Sequence, residues 1–501
     1  MDDINLEQCS ENQLFSMLQD SEGQDRLRLL NELLGRAENK SDYRKAASFA
    51  EEASALAIKF SPNMDVENYL YRQGSNLWRL NEYEPAIEAF SVGVSKYSGE
   101  DDQTELSKNY WGLADSHYRL ENYEESIKFA QLGTEAALVN DGFDIAGLNK
   151  FVQGKSLYLD DREQEAIDAC IEARQHKRRV SNTAAVQEID DYIATIYRYL
   201  GQYDEAEILL RNCLTLADAT TRNLSYANMR LGIILIDQEK FDEARSHLEI
   251  ARSLYHEEDN LEMLAECDMS ISRTYDGYSH VEEALRCARS ATSLWDALGQ
   301  AVNYIRGLER QSILLYTAKR YIDAAEMNDR TISEIGDGDD ASYINMKGFA
   351  QLRKADDFVP LFMWDSVLET LNSTNQFGQT STHKGNLWYY ALKARALYAL
   401  NQHEEAMGIA DSGLALTQDS GVNINTAYLY EIKARVSLEQ DRPDKERHLA
   451  HAISLHLAFG EVDKARELSE YFKPNFTPQS KTGDVILTNE RSTVVEESPN
   501  D

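Results

Sequence analysis

The sequence predicts an all-α protein, a solenoid of about eleven stacked helix-turn-helix units. Three observations carry that prediction. One short phrase, an aromatic residue followed by two mostly acidic residues and Ala, recurs about every 40 residues. Apolar residues between its copies fall at i, i+4 and i+7, the spacing that puts a stripe along one helix face. Proline, which breaks helices by lacking an N–H and clashing with the preceding turn, occurs only seven times and is absent between Pro85 and Pro360.

The clear copies of the phrase start at Tyr83, Tyr123, Tyr203, Phe241, Tyr321 and His403, and weaker ones at Tyr43, Glu163, Val281 and Pro443. The gap between Tyr321 and His403 leaves room for one degenerate unit. Each unit reads as a first helix of about 14 residues, a short polar turn and a second amphipathic helix. The fifth shows this, with Ile193, Ala194 and Tyr197 on its first helix and Ala206, Leu210, Cys213 and Leu214 on its second. Neither helix can bury its stripe alone, so the units must stack. Residues 1–24 are expected to form an N-terminal segment with one short helix beginning near Ser10. Residues 25–335 hold repeats one to eight, and residues 336–472 hold the degenerate repeat nine, repeats ten and eleven and a capping helix. The Gly- and Asp-rich run at 334–342 is expected to be a hinge or a bend in the superhelix. Residues 473–501, with three prolines and many Ser and Thr, are expected to form a disordered tail.

With 51 basic against 86 acidic side chains the formal net charge is -35. That balance argues against duplex nucleic acid, whose binding needs Lys and Arg on phosphates, and against anionic membranes. It suits a partner with basic or apolar segments. Cys9, Cys170, Cys213, Cys267 and Cys287 are odd in number and lack CxxC spacing, so reduced thiols are expected. The N-terminus carries no basic then apolar leader pattern and no apolar run approaches a membrane span, so a cytoplasmic location is expected.

The phrase and its surroundings resemble the tetratricopeptide repeat family. Counting the Ala of each phrase as position 20, position 8 is Gly74, Ala114, Gly154, Ala194 and Gly232 in repeats two to six, and position 24 is Phe90, Ala130, Cys170, Leu210 and Leu248. The family keeps position 8 small so that the two helices of a hairpin can approach closely. The 40-residue unit, longer than the common 34, implies longer helices, as in the kinesin-light-chain type. The resemblance implies a right-handed solenoid with the first helix of each unit lining a concave face, where positions 5, 9 and 12 point inward.

Those positions hold an aromatic ladder. Position 5 is Tyr71, Trp111 and Phe151 in repeats two to four, and position 12 is Trp78, Tyr118 and Tyr158. Two rings seven residues apart project from the same face of one helix. Ser75, Asp115 and Lys155 lie between them at position 9, with Arg79 and Arg119 beside the second row. Large rings with polar tips anchor protein interfaces, and these eleven residues are the predicted binding set. In repeats five to eight position 5 becomes Asp191, Met229, Met269 and Glu309, so the ladder ends. Arg395 and Arg435 mark a second, more charged candidate.

Catalytic and cofactor signatures are missing: no GxxxxGK[ST], HExxH, GxSxG or GxGxxG occurs. The Asp run at 337–340 lacks the alternating ligands of a calcium loop. His448, His451 and His456 share one helix without an evident acidic partner, which predicts no metal centre. Lys at position 5 with Asn at position 9, the pair that clamps chaperone C-termini, is found in no repeat. The basic block at 176–179 caps a helix C-terminus, and the apolar stretch at 484–488 is a candidate linear motif. The expected function is a non-enzymatic scaffold or adaptor that binds a protein or peptide without any cofactor; the alternative is a peptide-sensing regulator whose superhelix changes conformation. Homo-oligomerisation stays open.

Overall fold

The computed structural model describes residues 6–60, 66–96, 103–215, 221–275, 279–336, 341–373, 383–417 and 421–471. Among them are 24 α-helices, two short 3-10 turns and no strand, the all-α solenoid that the periodicity predicts. Two compact units divide the chain, Met1–Glu258 and Asp259–Asp501. The first runs from the helix Glu11–Gln19 to Phe241–Glu257 and the second from Leu261–Thr274 to Val462–Tyr471. The tail expected from 473 onward and the motif at 484–488 lie outside the described residues, as do residues 337–340 of the expected hinge.

The length of the repeat has a simple origin. The helices Tyr123–Val139, Phe143–Leu159, Glu163–Arg179 and Thr183–Tyr199 each have 17 residues, and three-residue turns separate them, so a helix and its turn take 20 residues. The turns within and between hairpins are alike. Each places one residue in the left-handed region two positions before the next helix: Glu121 at φ 61°, Asp141 at 54°, Asp161 at 56° and Ser181 at 54°. After the helix ending at Arg119, the Asn122 N–H donates to the His117 carbonyl at 2.9 Å and the Glu121 N–H to that of Tyr118 at 3.1 Å. This pair satisfies two carbonyls that a helix end leaves unbonded.

Position 8 faces position 24 in the hairpins, as the pattern requires. A Cβ added to Gly74 would stand 2.6 Å from the Phe90 ring, and one added to Gly112, on the next first helix, would stand 2.4 Å from it. Phe90, 1% exposed, therefore fills a slot that only two glycines leave open. In repeat four a Cβ on Gly154 would lie 2.4 Å from the Cys170 sulfur. Such interdigitation at near-crystal density is what fixes the angle between neighbouring hairpins.

At the N-terminus the helix Glu11–Gln19 begins at Ser10 with a capping box to Gln13. Repeat nine, which lacks the phrase, has a 3-10 turn at Val359–Leu361 and then a second helix of only nine residues, Trp364–Asn372. Pro360 lies in that turn, where an α-helix would need its N–H.

Candidate functional site

In the first unit the first helices of repeats two, three and four, Val66–Arg79, Thr104–Arg119 and Phe143–Leu159, pack directly on one another. Their second helices, Tyr83–Lys96, Tyr123–Val139 and Glu163–Arg179, make no comparable contact among themselves. Helices that touch along one side while their partners splay apart define the tighter side of the stack. The first helices therefore line the inner face here, and the aromatic positions lie on them.

The rings interlock. Trp78 and Trp111 lie 6.2 Å apart in a tilted pair, and the guanidinium of Arg119 sits 5.5 Å over Trp78. Tyr71 packs on Phe90 at 6.0 Å, and Tyr158 stands edge-on to Tyr192 at 6.1 Å. Lys155 places its ammonium 4.8 Å over the ring of Tyr118. Burial pushes the Tyr118 hydroxyl up from its ordinary pKa, against the pull of Arg119, so the phenol keeps its proton and can donate.

Asp115 joins three repeats. Its carboxylate, in a residue only 3% exposed, accepts a hydrogen bond from the Trp78 indole N–H at 3.0 Å. Arg119 Nε and Lys155 Nζ each donate to it at 3.4 Å. A buried carboxylate needs such partners to offset its desolvation. The result is that Trp78, with Trp111 and Tyr118 packed around the same polar centre, is held in place from three repeats.

The predicted residues thus come together, with distinct exposures. Tyr71, Trp78, Trp111, Tyr118, Tyr158, Ser75 and Lys155 are half-buried, and Arg79 and Arg119 are exposed. The Ser75 hydroxyl finds no partner among the described residues, and Arg79 lies 5.2 Å over the ring of Tyr43. Phe151 departs from the expectation of an inward-facing ring. It is 9% exposed and meets Tyr192 edge-on at 5.6 Å, because the first helix of repeat five brings Tyr192 and Ile189 over it. It braces the row from behind. Beyond it Asp191 pairs with Arg230 at 3.3 Å, so charge replaces rings.

The other motifs are absorbed structurally. Lys177 of the basic block is buried and bonds Asp144 at 2.7 Å. His451 bonds the Arg447 carbonyl at 2.7 Å, His448 meets the Ser437 hydroxyl at 3.2 Å, and His456 is fully buried. Sequence reading missed two acidic partners of His456: Glu431 at 3.3 Å, on the preceding first helix, and Glu461 at 3.4 Å, five residues ahead of it. Among the described residues no group of three or more His, Cys, Asp or Glu is placed to hold a metal ion, and no helix is long and apolar enough to cross a membrane. Cys170, Cys213 and Cys267 are buried and Cys9 and Cys287 half-buried, and none forms a disulfide.

The family model described as tetratricopeptide repeat matches residues 191–217, the end of the first helix and the second helix of repeat five. No curated protein matches the sequence. Among solved structures the chain is similar to a signal-transduction ATPase with numerous domains and a tetratricopeptide-repeat sensor from Pyrococcus horikoshii, at 13% identity and a TM-score of 0.47, over 71% of this chain and 54% of that one. It is also similar to the apo form of RapI, at 13% identity and a TM-score of 0.43, over 54% of this chain and 97% of that one. A third is the apo form of the quorum sensor NprR from B. thuringiensis, at 12% identity and a TM-score of 0.39, over 85% and 97%. The recurring phrase, the small-against-large pairing of positions 8 and 24 and the family-model match together place this chain in the tetratricopeptide-repeat superfamily.

Proposed function

We propose that this chain is a scaffold or adaptor that binds another polypeptide and catalyses no reaction, and that the inner face of repeats two to four is where the partner sits. One observation carries the reading: five half-buried rings, Tyr71, Trp78, Trp111, Tyr118 and Tyr158, lie on the first helices of repeats two to four, and the middle three are held around Asp115 through its bonds to Trp78 and Lys155. Rings fixed before binding lose little entropy on contact, and their remaining exposed area is available to a partner. Arg79 and Arg119 rim the row, and the chain's net charge of -35 favours a partner with basic segments beyond that rim. Site-specific photo-crosslinking tests this. A benzophenone amino acid replacing Tyr118 should trap a discrete protein in lysate of the native host, whereas the same probe replacing Glu135, exposed on a second helix, should not. Equal trapping at both positions, or none at Tyr118, would sink the proposal.

A further inference from the structure

The second unit carries a half-open cavity of about 810 Å³, within the range of ligand sites. It is lined by first helices of successive repeats, through Tyr316 on Ala301–Thr317, Asp356 on Ala341–Asp357, Trp388 and Arg395 on His383–Ala399, and Tyr428 on Ile424–Glu439. The shortened second helix of repeat nine contributes Trp364.

Most charges around this cavity already have partners. Glu431 meets Arg435 at 2.8 Å and Lys464 at 3.2 Å, and Glu461 accepts from the Tyr428 hydroxyl at 2.9 Å. Two groups differ. Arg395 forms no ion pair and no hydrogen bond among the described residues; its guanidinium carbon sits 4.6 Å from the centroid of the Tyr428 ring. A guanidinium held over a ring without a hydrogen-bond partner still has N–H donors to offer a planar acceptor such as a carboxylate. Asp356, half-buried, likewise accepts no hydrogen bond among the described residues. Burial pushes its carboxyl up while the charge of Arg395 pulls it down, which places both groups in one electrostatic neighbourhood.

One cation and one acceptor that sense each other's charge without a direct hydrogen bond, and an indole wall, therefore share the same cavity. A lone phosphate would be repelled by Asp356 and a purely basic ligand by Arg395. An α-amino acid unit answers all three features at once. We propose that the cavity binds an aromatic residue with a free α-carboxylate, supplied as the C-terminal residue of a peptide or as the free amino acid. The carboxylate lies across the Arg395 edge, the amide or amino N–H is donated to Asp356, and the ring rests on Trp364 and Trp388. This site uses no residue of the first unit, so its test and that of the proposed function stand apart.

Calorimetric titration of the full chain decides the matter, with N-acetyl-Gly-Gly-Phe as free acid, the same peptide as C-terminal amide, and L-phenylalanine. The free acid is expected to bind at least tenfold more tightly than the amide. Arg395→Gln should abolish that difference and Arg395→Lys should restore part of it, with helical circular dichroism unchanged. Should Arg395→Gln fail to fold, the acid-against-amide comparison on the natural chain still decides. L-phenylalanine matching or exceeding the peptide supports the free amino acid as source, and a tighter peptide supports a polypeptide terminus. Equal affinity for acid and amide, no measurable binding of either, or an acid preference that survives Arg395→Gln overturns the proposal.

Discussion

Removing the Asp115 carboxylate should loosen three repeats at once, and the size of the effect follows from its contacts. The hydrogen bond from the Trp78 indole ends on a charged acceptor, a class worth about 1.5–3 kcal/mol. The Lys155 pair, with the lysine side chain 18% exposed, adds about 1 kcal/mol. The Arg119 pair adds next to nothing, because that side chain is 44% exposed and solvent screens it. Asp115→Ala should therefore cost about 2–4 kcal/mol, roughly a 30- to 1,000-fold change in the opening equilibrium. Asp115→Asn, which keeps an acceptor for Trp78, should cost about half as much. In a repeat array each unit couples chiefly to its neighbours, so the damage should be local. Hydrogen exchange should lose protection in Val66–Arg79, Thr104–Arg119 and Phe143–Leu159 while the second unit is unchanged. A shift in the urea midpoint equivalent to less than about 0.5 kcal/mol, or protection lost evenly along the chain, would refute the idea that Asp115 ties the row together.

Three further outcomes follow from other contacts. Gly154→Ala should destabilise by about 1–2 kcal/mol, because the clash with the Cys170 sulfur exceeds the helix-propensity gain; in a Cys170→Ala background urea denaturation should find part of that cost removed, the 3.1 Å approach to the Ala166 carbonyl remaining. Burial pushes the Asp357 carboxyl up to about 7, with the Asn328 hydrogen bond opposing and the Asp356 charge adding. The folded state then binds the extra proton between about pH 4 and 7, so the second unit should lose stability as pH rises through that window, and Asp357→Asn should flatten the slope of thermal midpoint against pH. Burial also pushes the Cys170 and Cys213 thiols up to about 12. Native-state alkylation at pH 8, read by mass spectrometry, should leave both unmodified after half-buried Cys287 has reacted.

The hairpins were legible in the sequence because their packing rule is written in side chains. Gly74 must face Phe90, and Gly154 must face Cys170, so residue size at two positions gives the hairpin away. The turns were less legible. Their left-handed position holds Glu121, Asp141, Asp161 and Ser181, short or acidic polar residues that are common everywhere in this acidic chain and so do not mark it, because the bonds that close the turn are made by backbone. The aromatic row was visible as a 40-residue recurrence, yet the burial of Phe151 depends on Tyr192 arriving from the next repeat, a three-dimensional fact with no local signature. Asp115 carried a faint signal, an acid at position 9 followed 40 residues later by Lys155 at the same position. Only Arg395 and Arg435 hinted at the second-unit cavity, since repeat nine lost its phrase along with half of its second helix.

The most direct test of the central claim is affinity capture from the native host, comparing the natural chain with a Trp78→Ala, Tyr118→Ala variant that retains its helical circular dichroism. Loss of a specific partner from the variant is the predicted result and would locate polypeptide binding on the inner face of repeats two to four. An unchanged set of partners would contradict it and reduce those rings to packing between hairpins.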